Sequence, residues 1–189
     1  LMRMRLLANH PGITEKDYSG SSGKFDQVTE SIRKVLSGGH KLLIFSQFVK
    51  HLVLYASWLE EEGIPFLMLT GQTNPMQRQN MIRQFQKGYD YPIFLISLKA
   101  GGVGLNLTAA DFVFLLDPWW NPAVEQQAIN RTHRIGQNKK VISYKFITEG
   151  SIEEKIMALQ EKKMDLFNNF INRKISSNIS SEDLVGLLE

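Results

Sequence analysis

Short apolar runs alternate with longer amphipathic stretches along this chain from about residue 24 to residue 172. The runs at 41–46, 65–69, 92–97, 112–116 and 141–147 are too short for helices and predict buried strands of a parallel sheet. The stretches at 24–36, 49–62, 74–87 and 122–133 predict helices between them. Local punctuation agrees with this division. Gly38-Gly39 stops the first helix, Gly63 closes the second as a C-cap, and Asn74-Pro75 opens the third with Gln77 completing a capping-box-like pair. Ser151 and Glu154 form a capping box at the start of a long helix reaching about residue 172. A linker-like stretch at 176–181 and a short helix at 182–188 follow. Strands alternating with helices predict an α/β fold: a parallel sheet with right-handed crossovers and helices on both faces, in three layers.

Ligands of such sheets bind outside the carboxyl ends of the strands. Here those ends carry Ser46-Gln47, Thr70-Gly71, residues 97–104, residues 117–121 and the loop after Ile147. Charge sharpens the picture. The net charge is only +3, yet no acid lies between Glu125 and Glu149, where Arg131, Arg134, Lys139, Lys140 and Lys145 sit with His133. Residues 63–89 also lack acids while Arg78, Arg83 and Lys87 appear. Basic windows suit a phosphate-rich partner, and equally a solvated face. There are no cysteines, which excludes a disulfide framework, a thiolate metal site and a cysteine nucleophile. No apolar run has the length of a membrane helix, so a soluble intracellular protein is expected.

Several catalytic patterns fail on inspection. Gly102-Val-Gly104-Leu-Asn-Leu107 has leucine where a dinucleotide fingerprint needs its third glycine. Gly23-Lys24 lacks both the first glycine and the hydroxyl residue of a phosphate-binding P-loop, and Asp117 precedes proline rather than a second acid. His10, His40, His51 and His133 have no metal-ligand spacing, and no Gly-x-Ser-x-Gly elbow occurs. Met2, Met4, Met157 and Met164 are expected to pack in the core or an interface. Gln127, Arg131 and Arg134 stand apart. Their i, i+4, i+7 spacing puts them on one helix face, where they serve either as a solvated or internally paired surface or as guanidinium groups offered to a polyanion, with Gln127 orienting a water or phosphate oxygens.

The stretch Gln127-Ala-Ile-Asn-Arg131-Thr-His-Arg134-Ile-Gly-Gln137 resembles motif six of the SWI/SNF-type superfamily-two helicase-like ATPases. Leu42 to Phe48 is similar to motif four, Leu69-Thr-Gly71 with Arg78 to the next block, and Ser97 to Leu107 to motif five. Asp117-Pro-Trp-Trp-Asn-Pro122 matches the family's D-P-x-W-N-P segment, residues 6–11 resemble the opening of its second lobe, and 151–167 its brace helix. The resemblance covers nearly the whole chain in order. It implies a RecA-like second lobe at 1–150, a brace helix at 151–175 and a tail at 176–189. The P-loop and magnesium-binding Asp-Glu pair would then belong to an N-terminal RecA-like lobe of the same protein.

By that resemblance, ATP and Mg²⁺ bind between the lobes, Arg131 and Arg134 are arginine fingers supported by Gln127, and Gly102 and Gly104 approach the nucleotide. Ser46, Gln47, Gly71, Lys99, Trp120 and Asn121 match the family's contacts to double-stranded DNA. Lys99 stands where many relatives carry arginine, so the charge is kept and the bidentate fork is lost. The implied protein hydrolyses ATP to translocate on duplex DNA and remodel DNA-bound proteins, RNA polymerase among the substrates the family allows. A prokaryotic member is expected to be cytoplasmic and nucleoid-associated, a eukaryotic one nuclear. The competing classes are a stand-alone phosphate- or nucleotide-binding α/β module and a protein-interaction domain without motor activity.

Overall fold

The architecture was obtained as a computed structural model, which describes residues 1–15, 17–101, 105–129 and 140–176. Five parallel strands are present: β1 (Leu42–Ser46), β2 (Phe66–Leu69), β3 (Ile93–Ser97), β4 (Phe112–Leu115) and β5 (Ile142–Lys145). They lie in the order β2-β3-β1-β4-β5. Central position explains their composition. The interior strands β1 and β3 are buried at every residue, whereas edge strand β2 alternates and edge strand β5 is exposed throughout.

Helices α1 (Met2–Asn9) and α2 (Gly23–Ser37) precede the sheet, and α3 (Val49–Glu61), α4 (Pro75–Gln86), α5 (Leu98–Gly101) and α6 (Pro122–Ile129) join its strands. The 25-residue α7 (Ile152–Ser176) follows β5. Val28, Ile32 and Val35 of α2 pack with Leu52, Tyr55 and Leu59 of α3 on one face of the sheet. Phe85 of α4, Leu98 and Ala100 of α5 and Ile129 of α6 cover the other. The helices therefore lie on both faces of a five-stranded parallel sheet, as the alternating pattern requires.

Most local signals act as read. Gly63 has φ +66°, a conformation in which a β-carbon is strained, and it ends α3. Asn74 Oδ1 accepts the Gln77 amide at 2.8 Å. Two details differ. The start of the glycine-rich loop is helical, because Leu98 and Ala100 are drawn into the core and wind 98–101 as α5. The capping box of α7 is displaced: Ser151 Oγ accepts from Glu153 N at 3.1 Å, and Glu154 reaches Gly150 N at 3.1 Å. Gly150 has φ +66°, and this turn brings its amide rather than that of Ser151 within reach. The helix expected at 182–188 lies outside the described residues.

The strand order creates one switch point. After β1 the chain crosses to β2 by way of α3, on the α2 face; after β4 it leaves for β5 by way of α6, on the opposite face. β1 and β4 are adjacent, so their carboxyl ends open a crevice between two diverging connections. Ser46-Gln47 and the 117–121 segment occupy it.

Candidate functional site

Asp117, just beyond β4, is 2% exposed and organises the crevice. Its Oδ2 accepts the Ser46 hydroxyl, while Oδ1 accepts the Gln47 backbone amide at 3.1 Å and the Gln47 side-chain amide at 3.0 Å. Ser46 is fully buried, and its oxygen also accepts Phe48 N at 3.1 Å. The two residues expected on the phosphate backbone thus join β1 to the segment after β4. Ser46 presents no surface to a ligand, and the amide of Gln47 further donates to the Pro118 carbonyl at 2.8 Å.

The next three residues are held from every side. Arg5 Nη2 of α1 donates to the Pro118 carbonyl at 3.0 Å. The Trp119 amide donates to Glu125 Oε1 of α6 at 2.7 Å, and the Trp119 carbonyl accepts from Gln160 Nε2 of α7. Gln160 also donates to Glu125 Oε1 at 3.0 Å, and Lys145 of β5 pairs with Glu125 Oε2. Glu125 and Gln160 are each 4% exposed, so these bonds are made out of water, where a lost partner is costly. Trp119 packs into the core, but Trp120 is 38% exposed and points away from it. Asn121 is exposed and its Oδ1 accepts Ala123 N at 3.0 Å, capping α6.

Beside this node sits a buried ion pair. Lys24 Nζ of α2 meets Glu153 Oε2 of α7 at 2.5 Å and donates to the Leu116 carbonyl at 3.0 Å and to Asn9 Oδ1 at 3.3 Å. Burial lowers the Lys24 ammonium and raises the Glu153 carboxyl, and their contact opposes both shifts. His51 is completely buried with Nδ1 3.9 Å from Asp117 Oδ2, beyond hydrogen-bond length, and burial pushes its pKa down. The Lys24-Gly23 pair that fails as a P-loop is therefore a strut between α2, β4 and α7.

The other expected contacts line the same edge. Gly71 lies at the tip of a turn fixed by Thr73 Oγ1 accepting Thr70 N at 3.1 Å; a β-carbon there would meet nothing within 4 Å. Lys99 is exposed on α5. Gln127 is carried by α6, the helix Asn121 caps and Glu125 anchors. Arg131, Arg134, Gly102 and Gly104 lie outside the described residues. Sequence reasoning missed Arg5, Glu125 and Gln160, which hold Pro118 and Trp119, and read Lys145 only as part of the basic window, where the structure pairs it with Glu125. Glu125 carried a signal: it is the last acid before the basic window. No cluster of three metal-ligating side chains occurs among the described residues, and no helix among them is long and apolar enough to cross a membrane.

Residues 23–136 match the family described as "Helicase conserved C-terminal domain". The chain is 50% identical over 166 residues to DNA repair protein RAD5 of Cryptococcus neoformans, covering 82% of this chain and 14% of that protein. It is 34% identical over 203 residues to chromatin remodeling factor mit1 of Schizosaccharomyces pombe, covering all of this chain and 14% of that protein. Among solved structures, the C-terminal part of the Fun30 ATPase domain superposes with a TM-score of 0.71 at 36% identity, covering 84% of this chain and 53% of that one. The chain thus spans a small fraction of these curated relatives. It belongs to the helicase conserved C-terminal domain family, as a RecA-like C-terminal lobe of the SWI/SNF type.

Proposed function

We propose that this lobe works against an N-terminal RecA-like lobe of the same protein in an ATPase that translocates on double-stranded DNA and remodels what is bound there. The observation that carries this reading is the crevice between β1 and β4. It fixes an exposed tryptophan on one side and, through Glu125 and Asn121, the helix bearing Gln127 on the other. One hydrogen-bonded segment would then link the edge proposed to face DNA to the helix that begins the motif holding Arg131 and Arg134.

ATP is the substrate in the cleft, with Gly102 and Gly104 beside it and Arg131 and Arg134 facing its phosphates. Charge developing on the transferred phosphoryl group requires cations already in place. Mg²⁺ is assigned to the first lobe, where the family resemblance puts the magnesium-binding Asp-Glu pair. On the DNA side, Gly71, Lys99, Trp120 and Asn121 make the contacts, while Ser46 and Gln47 shape the edge through Asp117. Such contacts set register and carry little sequence information. The protein works where its DNA lies, in a nucleoid or a nucleus.

ATPase measurements with and without duplex DNA test this reading. The 189-residue chain alone is expected to show no turnover. In the two-lobed protein, Arg134→Ala is expected to cut kcat by about 10³ while DNA affinity stays nearly intact. DNA-stimulated hydrolysis by the chain alone would instead favour a self-contained nucleotide-binding module.

A further inference from the structure

Helix α1 is amphipathic the wrong way round. Its buried residues are Arg5 and Asn9, one turn apart, while Met2 and Met4 are 62% and 54% exposed. Asn9 receives Lys24, but Arg5 meets no carboxylate among the described residues. The Arg5 guanidinium carbon lies 5.0 Å from the centroid of the Phe48 ring and 5.9 Å from that of Trp120, and one nitrogen donates to the Pro118 carbonyl. A buried cation needs compensation, and here two aromatic faces and one carbonyl supply it. Phe48 leaves the end of β1 and Trp120 the end of β4, so the guanidinium lies between two rings from two strands.

We infer that Arg5 is a positioning residue for the DNA contact of Trp120, an inference that rests on the reading proposed above. The indole is the one large aromatic of the 117–121 segment outside the core, and the cation over its ring is Arg5. Arg5 restrains it: its guanidinium carbon sits over both the Phe48 and the Trp120 ring while the hydrogen bond to the Pro118 carbonyl ties the cation to the same segment. The partial exposure of Trp120 leaves an outward surface for a nucleotide. Lysine supplies the charge without the plane and cannot restrain ring tilt in the same way.

Removal of Arg5 is compatible with folding, because the Pro118 carbonyl keeps the Gln47 amide at 2.8 Å. Arg5→Met keeps most of the stem volume. The test is a double-mutant cycle of Arg5→Met and Trp120→Ala in the two-lobed protein, read as the duplex-DNA concentration giving half-maximal ATPase stimulation. Arg5→Met is expected to raise that concentration by about fivefold to tenfold, with kcat at saturating DNA changed by less than about twofold. With Trp120 already alanine, adding Arg5→Met is expected to cost less than about twofold more, since coupled residues are not additive. In 5-fluorotryptophan protein, the Trp120 fluorine resonance, assigned by Trp120→Phe, is expected to shift in Arg5→Met, and Arg5→Lys is expected not to restore it. Full additivity overturns the inference, as does an unmoved resonance or a DNA defect that follows the melting temperature. If Trp120→Ala weakens DNA stimulation and Arg5→Met does not, the inference falls and the DNA reading stands. If Trp120→Ala leaves DNA dependence unchanged, the DNA reading of Trp120 falls and takes the inference with it.

Discussion

Asp111 before β4 and Asp117 after it clasp the same neighbouring strand from opposite ends. Asp111 accepts the Lys41 amide at 3.2 Å and faces His40 Nδ1 at 2.7 Å. Asp117 accepts the Ser46 hydroxyl and both amides of Gln47. Both carboxylates are almost fully buried. Beyond this local likeness the two ends part. At the amino end the partner is His40, whose side chain is 41% exposed, and the tie serves two strands. At the carboxyl end the two residues after Asp117 are caught by Arg5 of α1, Glu125 of α6 and Gln160 of α7, and by Gln47 from the loop after β1. One carboxylate suffices to join strands. The segment that leads to the exposed Trp120 is anchored from several parts of the lobe, a convergence that the amino end lacks.

The largest expected effect breaks the comparison directly. Asp117→Ala leaves a buried hydroxyl, a backbone amide and a side-chain amide short of their acceptor, and is expected to cost about 3–4 kcal/mol. Asp111→Ala leaves the buried Lys41 amide short of an acceptor and frees a half-exposed imidazole that finds water, and is expected to cost about 2 kcal/mol. Urea melts of the two variants compare them. Equal losses would mean that the crowding around Asp117 adds nothing to its structural role.

How much of this was legible depended on how local each cause is. The interior strands read correctly because burial on both faces leaves an unbroken apolar run, and the caps at Gly63 and Asn74 read correctly because their chemistry is complete within a few residues. Helix α1 is less legible: Met2 and Met4 lie outside the core of this lobe, which leaves the interface alternative for them, and a charged residue is inside, since the partners of Arg5 lie at 48, 118 and 120. Ser46 and Gln47 lie at the carboxyl end of β1 as the strand pattern predicts, but their tie to Asp117 spans about 70 residues and leaves no periodic trace. The spacing of Gln127, Arg131 and Arg134 reads as one face, of which the structure describes only the helix that begins it.

A smaller effect comes from His51, which packs with Tyr55 at 5.2 Å beneath the Asp117 end. Burial pushes its pKa below the ordinary 6.5, with Lys24 and His10 acting in the same direction and Asp117 opposing them. The unfolded chain therefore takes up the proton first as pH falls. Stability is fully present above pH 6.5 and declines below it, by at most about 1.4 kcal/mol per pH unit for one group. Chemical denaturation between pH 7 and pH 5 reads the slope, and His51→Gln is expected to flatten it. An unchanged slope in that variant would assign the acid sensitivity to other groups. No such term is expected from the Trp120 side chain, which carries no titratable group.

The smallest stability effect is the one that separates Trp120 from the core. With 38% of its surface already in water, its truncation forfeits part of its burial and one face of the Arg5 stack. Trp120→Ala in this chain is expected to cost about 1 kcal/mol, against the roughly 3–5 kcal/mol typical of a fully buried aromatic. For a chain of this size that is a fall in melting temperature of about 2–4 °C. Phe114, fully buried on β4 one residue before its end, supplies the internal comparison. Phe114→Ala is expected to show the full core penalty in the same melts. If Trp120→Ala matches Phe114→Ala, the indole is a structural side chain and its exposed surface has no place in the DNA-facing edge. If the two differ as expected, the energy spent on fixing the 117–120 segment does not come back as stability from Trp120 itself, and its remaining use is contact with a partner.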